Sequence, residues 1–463
     1  MVFSSLAFLF FFLPIALLIY YSSPSKLRNV VLLLVSLFFY AWGEPVYIIL
    51  LLFSALSDYW HGQKIATYRN FNQRRAKSFL ISSIIINVTL LSFFKYVDFL
   101  IENINALFGS SFSLLELPLP IGISFYTFQT MSYCISIYQG KTTAKNNPID
   151  VATYVSLFPQ LIAGPIVRYT HIEKQLSQRP FTRSQFVSGI KFFIIGLAKK
   201  VLLANNISLL WENVNQQPIE QLSVAMAWLG MVAFAFHIYF DFSGYSDMAI
   251  GLGKMFGFDF PENFHYPFIS KSMSEFWRRW HMTLGSWFRD YVYIPLGGNR
   301  NGHVRWIRNL LIVWGITGLW HGASWNFVIW GLYFALLIYL EKGAWFQRIP
   351  SIFKHVYFIV FILIGWVFFA IVDVHEIMAY LQIMAGIKVD QWIDTMFMYQ
   401  VSNYGVVLFL CLIASLPVRI TWFQRWPLYL RSSVSFLYYS LLMLLSTAYL
   451  VNDAFNPFIY FRF

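Results

Sequence analysis

Long apolar runs separated by short charged segments dominate this chain and restrict what it can fold into. In the hydrocarbon core of a bilayer only helices and closed barrels satisfy their backbone hydrogen-bonding groups, and a helix needs about 20 apolar residues to cross it. With 58% hydrophobic and 12% charged residues, the 463-residue chain is too apolar for a soluble protein. We therefore predict an all-α polytopic membrane protein with about 11 to 12 transmembrane helices. The predicted spans lie near residues 4–22, 29–43, 46–60, 78–95, 119–139, 186–210, 223–250, 309–322, 325–341, 355–373, 402–417 and 432–450.

The charges of the loops predict which side of the membrane each loop faces. Segment 61–77 carries five basic residues and no acid, so the positive-inside rule places it in the cytoplasm and the N-terminus outside. The run 309–341 is too long for one untilted span, and it is broken at Gly322, Ala323 and Ser324. Splitting it there puts the C-terminus outside and keeps basic loops inside and acidic loops outside. Predicted inner loops are 23–28, 140–148, 254–308, 342–354 and 418–431, and predicted outer loops lie near 44 and at 96–118, 211–222 and 374–401.

Two segments do not have the pattern of spanning helices. Residues 149–169 are apolar but contain Pro159, Gly164 and Pro165, which predicts a re-entrant segment entering from the cytoplasmic side. Residues 262–308 mix tryptophans with arginines, a composition typical of a cytoplasmic interfacial segment, with His281 on a short amphipathic helix. Because no repeat or linker divides the chain, we predict one integral-membrane domain over 1–463 with an outward C-terminal tail at 451–463.

Composition also argues against several classes of protein. The net charge of +12 is explained by the basic inner loops, so we expect contact with membrane lipids and no nucleic-acid binding. The two cysteines lie far apart in apolar runs, which indicates neither a disulfide framework nor a cysteine metal site. The first apolar run lacks a basic leader and a cleavage site, so we expect it to remain as a span.

His321 is the strongest candidate for a catalytic residue. It lies within an apolar run, where an ionisable side chain is costly and so points to function. A neutral imidazole can act as a general base towards a hydroxyl, as acyl transfer requires. The alternative is a buried histidine that hydrogen-bonds a neighbouring helix.

A second candidate site surrounds His281, which follows Trp277, Arg278, Arg279 and Trp280. The two guanidiniums are suited to holding phosphates or a carboxylate, as in a nucleotide-bearing donor such as coenzyme A. Arg278, Arg279 and Trp280 are therefore candidates for donor binding, and His281 is a candidate catalytic residue. The alternative is an interfacial anchor that faces lipid headgroups.

Polar residues inside a predicted span form a third group. His237 and Asp241 are spaced i, i+4 and are followed by Ser243 and Tyr245. This spacing alone allows an oriented histidine–aspartate pair or half of a metal site. Because no further ligands follow with a recognisable spacing, we predict no metal and interpret these four residues as a polar network lining a cavity.

Tyr460 lies in the C-terminal aromatic tail. Its phenol can accept an acyl group, so it is a candidate covalent relay. The alternative for this tail is an aromatic belt that anchors the chain at the outer membrane surface.

The motifs together resemble those of the membrane-bound O-acyltransferase family, in particular its bacterial alginate O-acetyltransferase branch. The resemblance covers nearly the whole chain and rests on residues 1–5, 119–125, 158–166, 241–247, 277–281 and 319–325. It implies helices around a membrane-crossing funnel, with His321 essential, His281 as the second motif histidine and Tyr460 as the outward relay. It further implies acetyl-CoA as donor, a bacterial inner-membrane location and a periplasmic or secreted SGNH-type acetyltransferase as partner. The final acceptor would be an extracytoplasmic polysaccharide such as an alginate-like exopolysaccharide, cellulose or peptidoglycan.

Two other functions fit parts of the pattern. A polytopic transporter or flippase for a cell-envelope precursor would also place His237, Asp241 and His321 along a path with broken helices. The chain lacks the paired, similarly interrupted halves that would favour this function. A structural scaffold of an envelope complex would leave the costly His321 without a role.

Overall fold

The computed structural model describes residues 1–300, 302–387, 389–418 and 425–452, and this part of the chain forms helices and no strand. The prediction of an all-α fold is therefore confirmed. The helices are α1 Phe8–Ser22, α2 Arg28–Ala41, α3 Ile48–Arg69, α4 Gln73–Phe108, α5 Ile123–Gln139, α6 Pro148–Ser156, α7 Phe158–Leu161, α8 Tyr169–Ser177, α9 Arg183–Ala198, α10 Asn205–Asn215, α11 Val224–Met255, α12 Met273–Phe276, α13 Met282–Phe288, α14 His303–His321, α15 Trp325–Leu340, α16 Ala344–Arg348, α17 Ser351–Ala370, α18 Val374–Met384, α19 Thr395–Ala414 and α20 Leu428–Asn452.

Five of the described helices are long and apolar enough to cross a membrane, namely α4, α11, α17, α19 and α20. Helices α1 and α15 are apolar but shorter. Most other predicted spans also coincide with helices, and α9 continues through a π-helical stretch, Lys199–Ala204, into α10. The predicted break after residue 322 is present, because α14 ends at His321 and α15 begins at Trp325.

Several helices extend beyond the predicted spans: α3 continues to Arg69, past residue 60, and α14 begins at His303, before residue 309. Helix α4 continues to Phe108, beyond the predicted end at residue 95. Residues 374–401 are not an irregular outer loop throughout, since α18 occupies their first part. The Asp373 carboxylate caps α18 by accepting hydrogen bonds from the backbone N–H groups of His375 and Glu376, and Ile377 and Tyr380 are buried on one face. Helix α18 has 11 residues and buries only one face, so it is too short and too polar to be recognised as a span by hydropathy.

The contacts divide the chain into two units: Met1–Phe193 with Tyr245–Pro261, and Ile194–Gly244 with Glu262–Phe463. In the first unit, a cluster of phenylalanine rings packs α1, α2 and the segment 149–169 together. Phe39 and Phe158 lie 5.4 Å apart, and both are buried. Segment 149–169 consists of short helices α6 and α7 with an irregular stretch, and residues 151–167 are buried throughout.

A buried polar network also joins helices of the first unit. The Asp58 carboxylate on α3 accepts hydrogen bonds from Ser83 Oγ at 2.6 Å and Asn87 Nδ2 at 2.8 Å, both on α4. Thr130 Oγ1 on α5 donates to Asn87 Oδ1 at 3.0 Å. Because buried polar groups are costly unless they are hydrogen-bonded, this network stabilises one arrangement of the three helices.

The second unit has an aromatic core built from α11, α12, α14, α15 and α17. Helices α14 and α15 approach to backbone contact. A Cβ added at Gly318 would lie 2.2 Å from the Phe327 carbonyl oxygen, and one added at Gly331 would lie 2.3 Å from that of Trp314. The close approach of these two helices positions the end of α14, where His321 lies.

Candidate functional site

The segment around His281 folds differently from the expected amphipathic helix. It consists of α12, a turn over residues 277–281, and α13, with His281 in the left-handed conformation at φ 43°. Phe276, Trp280 and Trp287 are buried inside the protein, whereas an interfacial anchor would hold them at the headgroups. This burial favours a structural or catalytic role for the segment over a role in lipid anchoring.

The rings of this segment enter the core of the second unit. Trp277 packs against Trp314 of α14 at 5.0 Å and against Trp330 of α15 at 5.4 Å between ring centroids. Trp280 packs against Trp366 of α17 at 5.2 Å. Since Trp314 lies in the middle of α14 and Trp366 near the end of α17, the segment penetrates between these helices and carries His281 with it.

His281 is held by contacts from three sides. Its ring lies 4.8 Å from Phe242 of α11, edge to face, and 5.9 Å from Trp320 of α14. Its Nδ1 lies 3.1 Å from Asn263 Oδ1. The same Oδ1 accepts the backbone N–H of Thr283 at 3.2 Å and the Thr283 hydroxyl at 2.9 Å.

This arrangement determines the protonation of His281. Because the atom of Asn263 that accepts the Thr283 N–H must be an oxygen, the His281 Nδ1 must donate to it and therefore carries the proton. The lone pair of the neutral ring is then on Nε2. Burial lowers the pKa of His281 to about 3, which keeps the ring neutral at physiological pH.

His321 is the last residue of α14 and is buried, with 4% of its surface exposed. Its ring lies 5.0 Å from Trp330 and 5.3 Å from Phe369, edge to face in both cases. It also lies 5.0 Å from the ring of the preceding Trp320, whose ring lies 5.9 Å from that of His281. The structure thus brings the two predicted histidines into one aromatic cluster, linked through a single tryptophan.

Two adjoining cavities of about 430 and 570 Å³ open beside this end of α14. They share Asn215, Ile371, His375 and Glu376, and the larger one is also lined by Ser324 and Trp325. Their linings combine segments within 211–222, 324–325 and 370–380, which belong to or adjoin the loops and the break that the charge pattern predicts on the outer side. A molecule in the larger cavity would therefore contact Ser324 and Trp325, three and four residues after His321.

Asp241 forms an ion pair with Lys200, a residue that the sequence interpretation did not include. Its carboxylate lies 2.6 Å from the Lys200 ammonium, and both side chains are almost fully buried. His237, one turn earlier on α11, and Ser243 are buried in the same unit. Sequence reasoning missed Lys200 as a partner, although a lysine in the apolar run 186–210 was a usable signal.

The residues assigned to donor binding have different surroundings. Arg279 forms an ion pair with Glu275 at 3.0 Å and donates to the carbonyl oxygen of His265 at 3.2 Å. Arg278 is exposed. Trp280 is buried against Trp366, so its ring contributes to the core. Of these three residues, Arg278 has the most accessible side chain.

Two predicted residues remain, Tyr245 and Tyr460. Tyr245 belongs to the first unit, where its ring stacks on Phe3 at 4.6 Å. Tyr460 lies outside the described residues. Among the described residues no group of three or more histidine, cysteine, aspartate or glutamate side chains is placed to hold a metal ion.

These observations define a helical, multi-pass membrane protein with two histidines buried in one aromatic core. The sequence model of the membrane-bound O-acyltransferase family matches residues 46–372, and the chain belongs to this family. It is therefore an O-acyltransferase, and the transporter and scaffold alternatives are not retained.

Similarity to individual proteins covers most of the chain. Two relatives are the probable alginate O-acetylases AlgI of Pseudomonas syringae pv. tomato and Pseudomonas aeruginosa, both 41% identical, over 382 and 376 residues. These matches cover 81% and 80% of this chain and 73% and 72% of the relatives. A peptidoglycan O-acetyltransferase of Helicobacter pylori is 35% identical over 429 residues, covering 84% of this chain and 80% of that protein.

Proposed function

We propose that this protein transfers an acetyl group from cytoplasmic acetyl-CoA across the bacterial cytoplasmic membrane for the O-acetylation of an extracytoplasmic polysaccharide. The names of the relatives, which specify alginate O-acetylation and peptidoglycan O-acetylation, support the acyl group and the acceptor class. A periplasmic or secreted SGNH-type acetyltransferase would deliver the group to the polymer. Both termini of the chain would lie on the outer side.

The position of His321 is the observation that carries this proposal. It is buried at the end of α14, and Ser324 and Trp325, a few residues further on, line the larger cavity. An acceptor hydroxyl that enters from this cavity would approach His321 from the outer side, while the donor remains on the cytoplasmic side. A buried base next to an open cavity is the arrangement that transfer to an outer acceptor requires.

The chemical step follows from these positions. His321 takes the proton of the acceptor hydroxyl as its oxygen attacks the thioester carbonyl carbon. The carbon–sulfur bond then breaks, and coenzyme A leaves as its thiol, taking up a proton. The acceptor hydroxyl belongs to Tyr460 or to a serine of the partner, and the donor docks near Arg278, Arg279 and His281. The neutral His281, with its Nε2 lone pair, would assist proton transfer.

Transfer can be measured in proteoliposomes that contain the purified protein and receive radiolabelled acetyl-CoA. We expect His321→Ala to lose at least about 100-fold in label transfer or hydrolysis, the lower range for a general base. The matched control is His265→Ala, because His265 has an exposed side chain on the segment that carries His281. Equal activity of His321→Ala and wild type would refute the assignment.

The relay can be tested separately. Mass spectrometry of the C-terminal peptide should detect acetyl on Tyr460 during turnover with acetyl-CoA. Tyr460→Phe keeps the ring and removes the hydroxyl, so it should abolish this label. Full acetylation of polymer by Tyr460→Phe in the presence of its partner would exclude the relay and leave a serine of the partner as the direct acceptor.

A further inference from the structure

Asn263 is a buried asparagine to which none of the roles above is assigned. It lies in the second unit, on the segment that precedes α12, and 1% of its surface is exposed. Both its backbone and its side chain contact the residues around His281. Since a buried amide is costly unless its polar atoms are hydrogen-bonded, the identity of its partners indicates its role.

Backbone hydrogen bonds near Asn263 fix the turn that carries His281. The Met282 N–H donates to the Asn263 carbonyl oxygen at 3.0 Å, and the His265 N–H donates to the Arg279 carbonyl oxygen at 2.9 Å. In the sequence, His281 lies between Arg279 and Met282, and it adopts the left-handed conformation, which is costly for residues other than glycine. Such a conformation persists where the surrounding contacts hold it, and it is common at functional sites.

The side chain of Asn263 presents one oxygen to three donors. Its Oδ1 lies 3.1 Å from His281 Nδ1, and it accepts the Thr283 N–H at 3.2 Å and the Thr283 hydroxyl at 2.9 Å. A backbone N–H can only donate, so Thr283 excludes the flipped amide, which would present its NH2 group at this position. Thr283 therefore orients the Asn263 amide, and the amide determines which nitrogen of His281 carries the proton.

A neutral amide at this position suits a buried base. A carboxylate that accepted the ring N–H would also stabilise the imidazolium, whereas the amide of Asn263 fixes the tautomer without adding a charge. The ring of His281 then keeps its lone pair on Nε2, which is itself a buried atom. The flipped amide would donate to Nδ1 and place the proton on Nε2, which would remove this base.

From these contacts we infer that Asn263 is a positioning residue, which holds the proton of His281 on Nδ1 and keeps Nε2 as its basic atom during acyl transfer. The inference rests on the proposed function, in which His281 assists proton transfer. In that step Nε2 takes up a proton and releases it when the coenzyme A thiol forms, so the ring ends neutral as it began. The alternative is that Asn263 only caps the start of α13 by accepting the Thr283 N–H.

Nitrogen NMR can identify the tautomer directly. The full chain, labelled with 13C,15N-histidine, would be measured in lipid bilayers at neutral pH, where protonated and unprotonated ring nitrogens have well-separated shifts. The chain has nine histidines, so the His281 signals are assigned by their loss in His281→Asn. We expect wild type to carry the proton on Nδ1. Asn263→Ala removes the acceptor and should give a mixture of tautomers, whereas Asn263→Asp keeps an oxygen acceptor and should keep Nδ1 protonated.

Activity in the proteoliposome assay distinguishes positioning from capping. Asn263→Ala should lower kcat by about tenfold or more, because it removes the hydrogen bond that selects the reactive tautomer. Asn299→Ala is the matched control, since Asn299 is exposed on the same inner segment. A capping role alone would lower thermal stability and leave the tautomer unchanged.

Three results would overturn the inference: a proton on Nε2 in wild type, an unchanged tautomer in Asn263→Ala, or equal kcat in Asn263→Ala and Asn299→Ala. If alanine prevents folding, an unprotonated Nδ1 in Asn263→Asp would overturn it as well. The NMR measurement does not depend on acyl transfer. An inactive wild type with the proton on Nδ1 would therefore count against the proposed function, whereas an active wild type with the proton on Nε2 would count against the role of Asn263 alone.

Discussion

Acidification should destabilise this protein through His281, which is buried and neutral. Burial lowers the pKa of His281 from 6.5 to about 3 in the folded protein, whereas the unfolded chain keeps a pKa near 6.5. Between these values the unfolded state binds a proton that the folded state does not bind. Protonation therefore favours unfolding, and the free energy of unfolding falls as the pH drops from about 6.5 towards 3.

The size of this effect follows from the width of the pH window. Each pH unit well inside it contributes about 1.4 kcal/mol, so His281 alone should remove about 3 kcal/mol of stability at pH 4.5 and about 4 kcal/mol near pH 3. A protonated His281 would place a positive charge between the rings of Phe242 and Trp320. Its Nδ1–H already donates to Asn263 in the neutral form, so protonation adds no hydrogen bond at Nδ1. None of these three neighbours is an acid that would stabilise an imidazolium.

The variant His281→Asn isolates this contribution. Asparagine does not titrate, it tolerates the left-handed backbone at this position, and its amide N–H can replace Nδ1–H as donor to Asn263. Thermal midpoints would be measured by size-exclusion of heated samples at steps from pH 7 to pH 4.5. We expect wild type and His265→Asn to lose stability in parallel, and His281→Asn to lose about 3 kcal/mol less. An equal loss in wild type and His281→Asn would refute the argument.

Two further predictions concern the second unit. At 2.6 Å, the attraction between Lys200 and Asp241 is about 6 kcal/mol at an effective dielectric constant of 20, so replacing either residue by alanine should cost about 3–5 kcal/mol. The double variant should be much more stable than additivity predicts, as measured by thermal exposure of the buried cysteine thiols, and additive losses would contradict a coupled pair. Gly318→Ala should destabilise by about 1–3 kcal/mol and reduce transfer activity, because its Cβ would meet the Phe327 backbone. Gly315→Ala on the same helix, with no atom within 4 Å of its Cβ, is the control and should not destabilise.

Hydropathy and charge predict the positions of the helices well, because the length of an apolar run is a local property of the chain. The break between α14 and α15 was predicted from Gly322 to Ser324, and the structure has it there. Helix α18 was missed, since it is short and only one of its faces is apolar. Its existence depends on the Asp373 cap and on packing against the protein, which a window of hydropathy does not register.

The sequence identified individual candidate residues of the site, but it did not predict how they are arranged in space. His281 and His321 were each identified from their surroundings in the sequence, yet their connection through Trp320 depends on a segment that enters the core between α14 and α17. The composition of that segment resembles an interfacial anchor, because buried aromatic clusters and headgroup belts use the same residue types. Asn263 had no signal of its own, since a single asparagine 18 residues before His281 is not a recognisable motif.

Tertiary contacts provide a check on the charge-derived topology that does not use charge. If 309–341 were one span, segment 342–354 would face the side opposite to 254–308. The Glu341 carboxylate, however, accepts the backbone N–H groups of Met273 and Ser274, and His355 Nδ1 donates to the Ser270 carbonyl oxygen. At the other end of α14, the two cavities are lined by segments that belong to or adjoin the loops and the break that the charge pattern predicts on the outer side. The contacts indicate which segments lie on the same side of the membrane, and loop charge predicts which side is cytoplasmic. Both observations favour two separate helices, α14 and α15, over a single span.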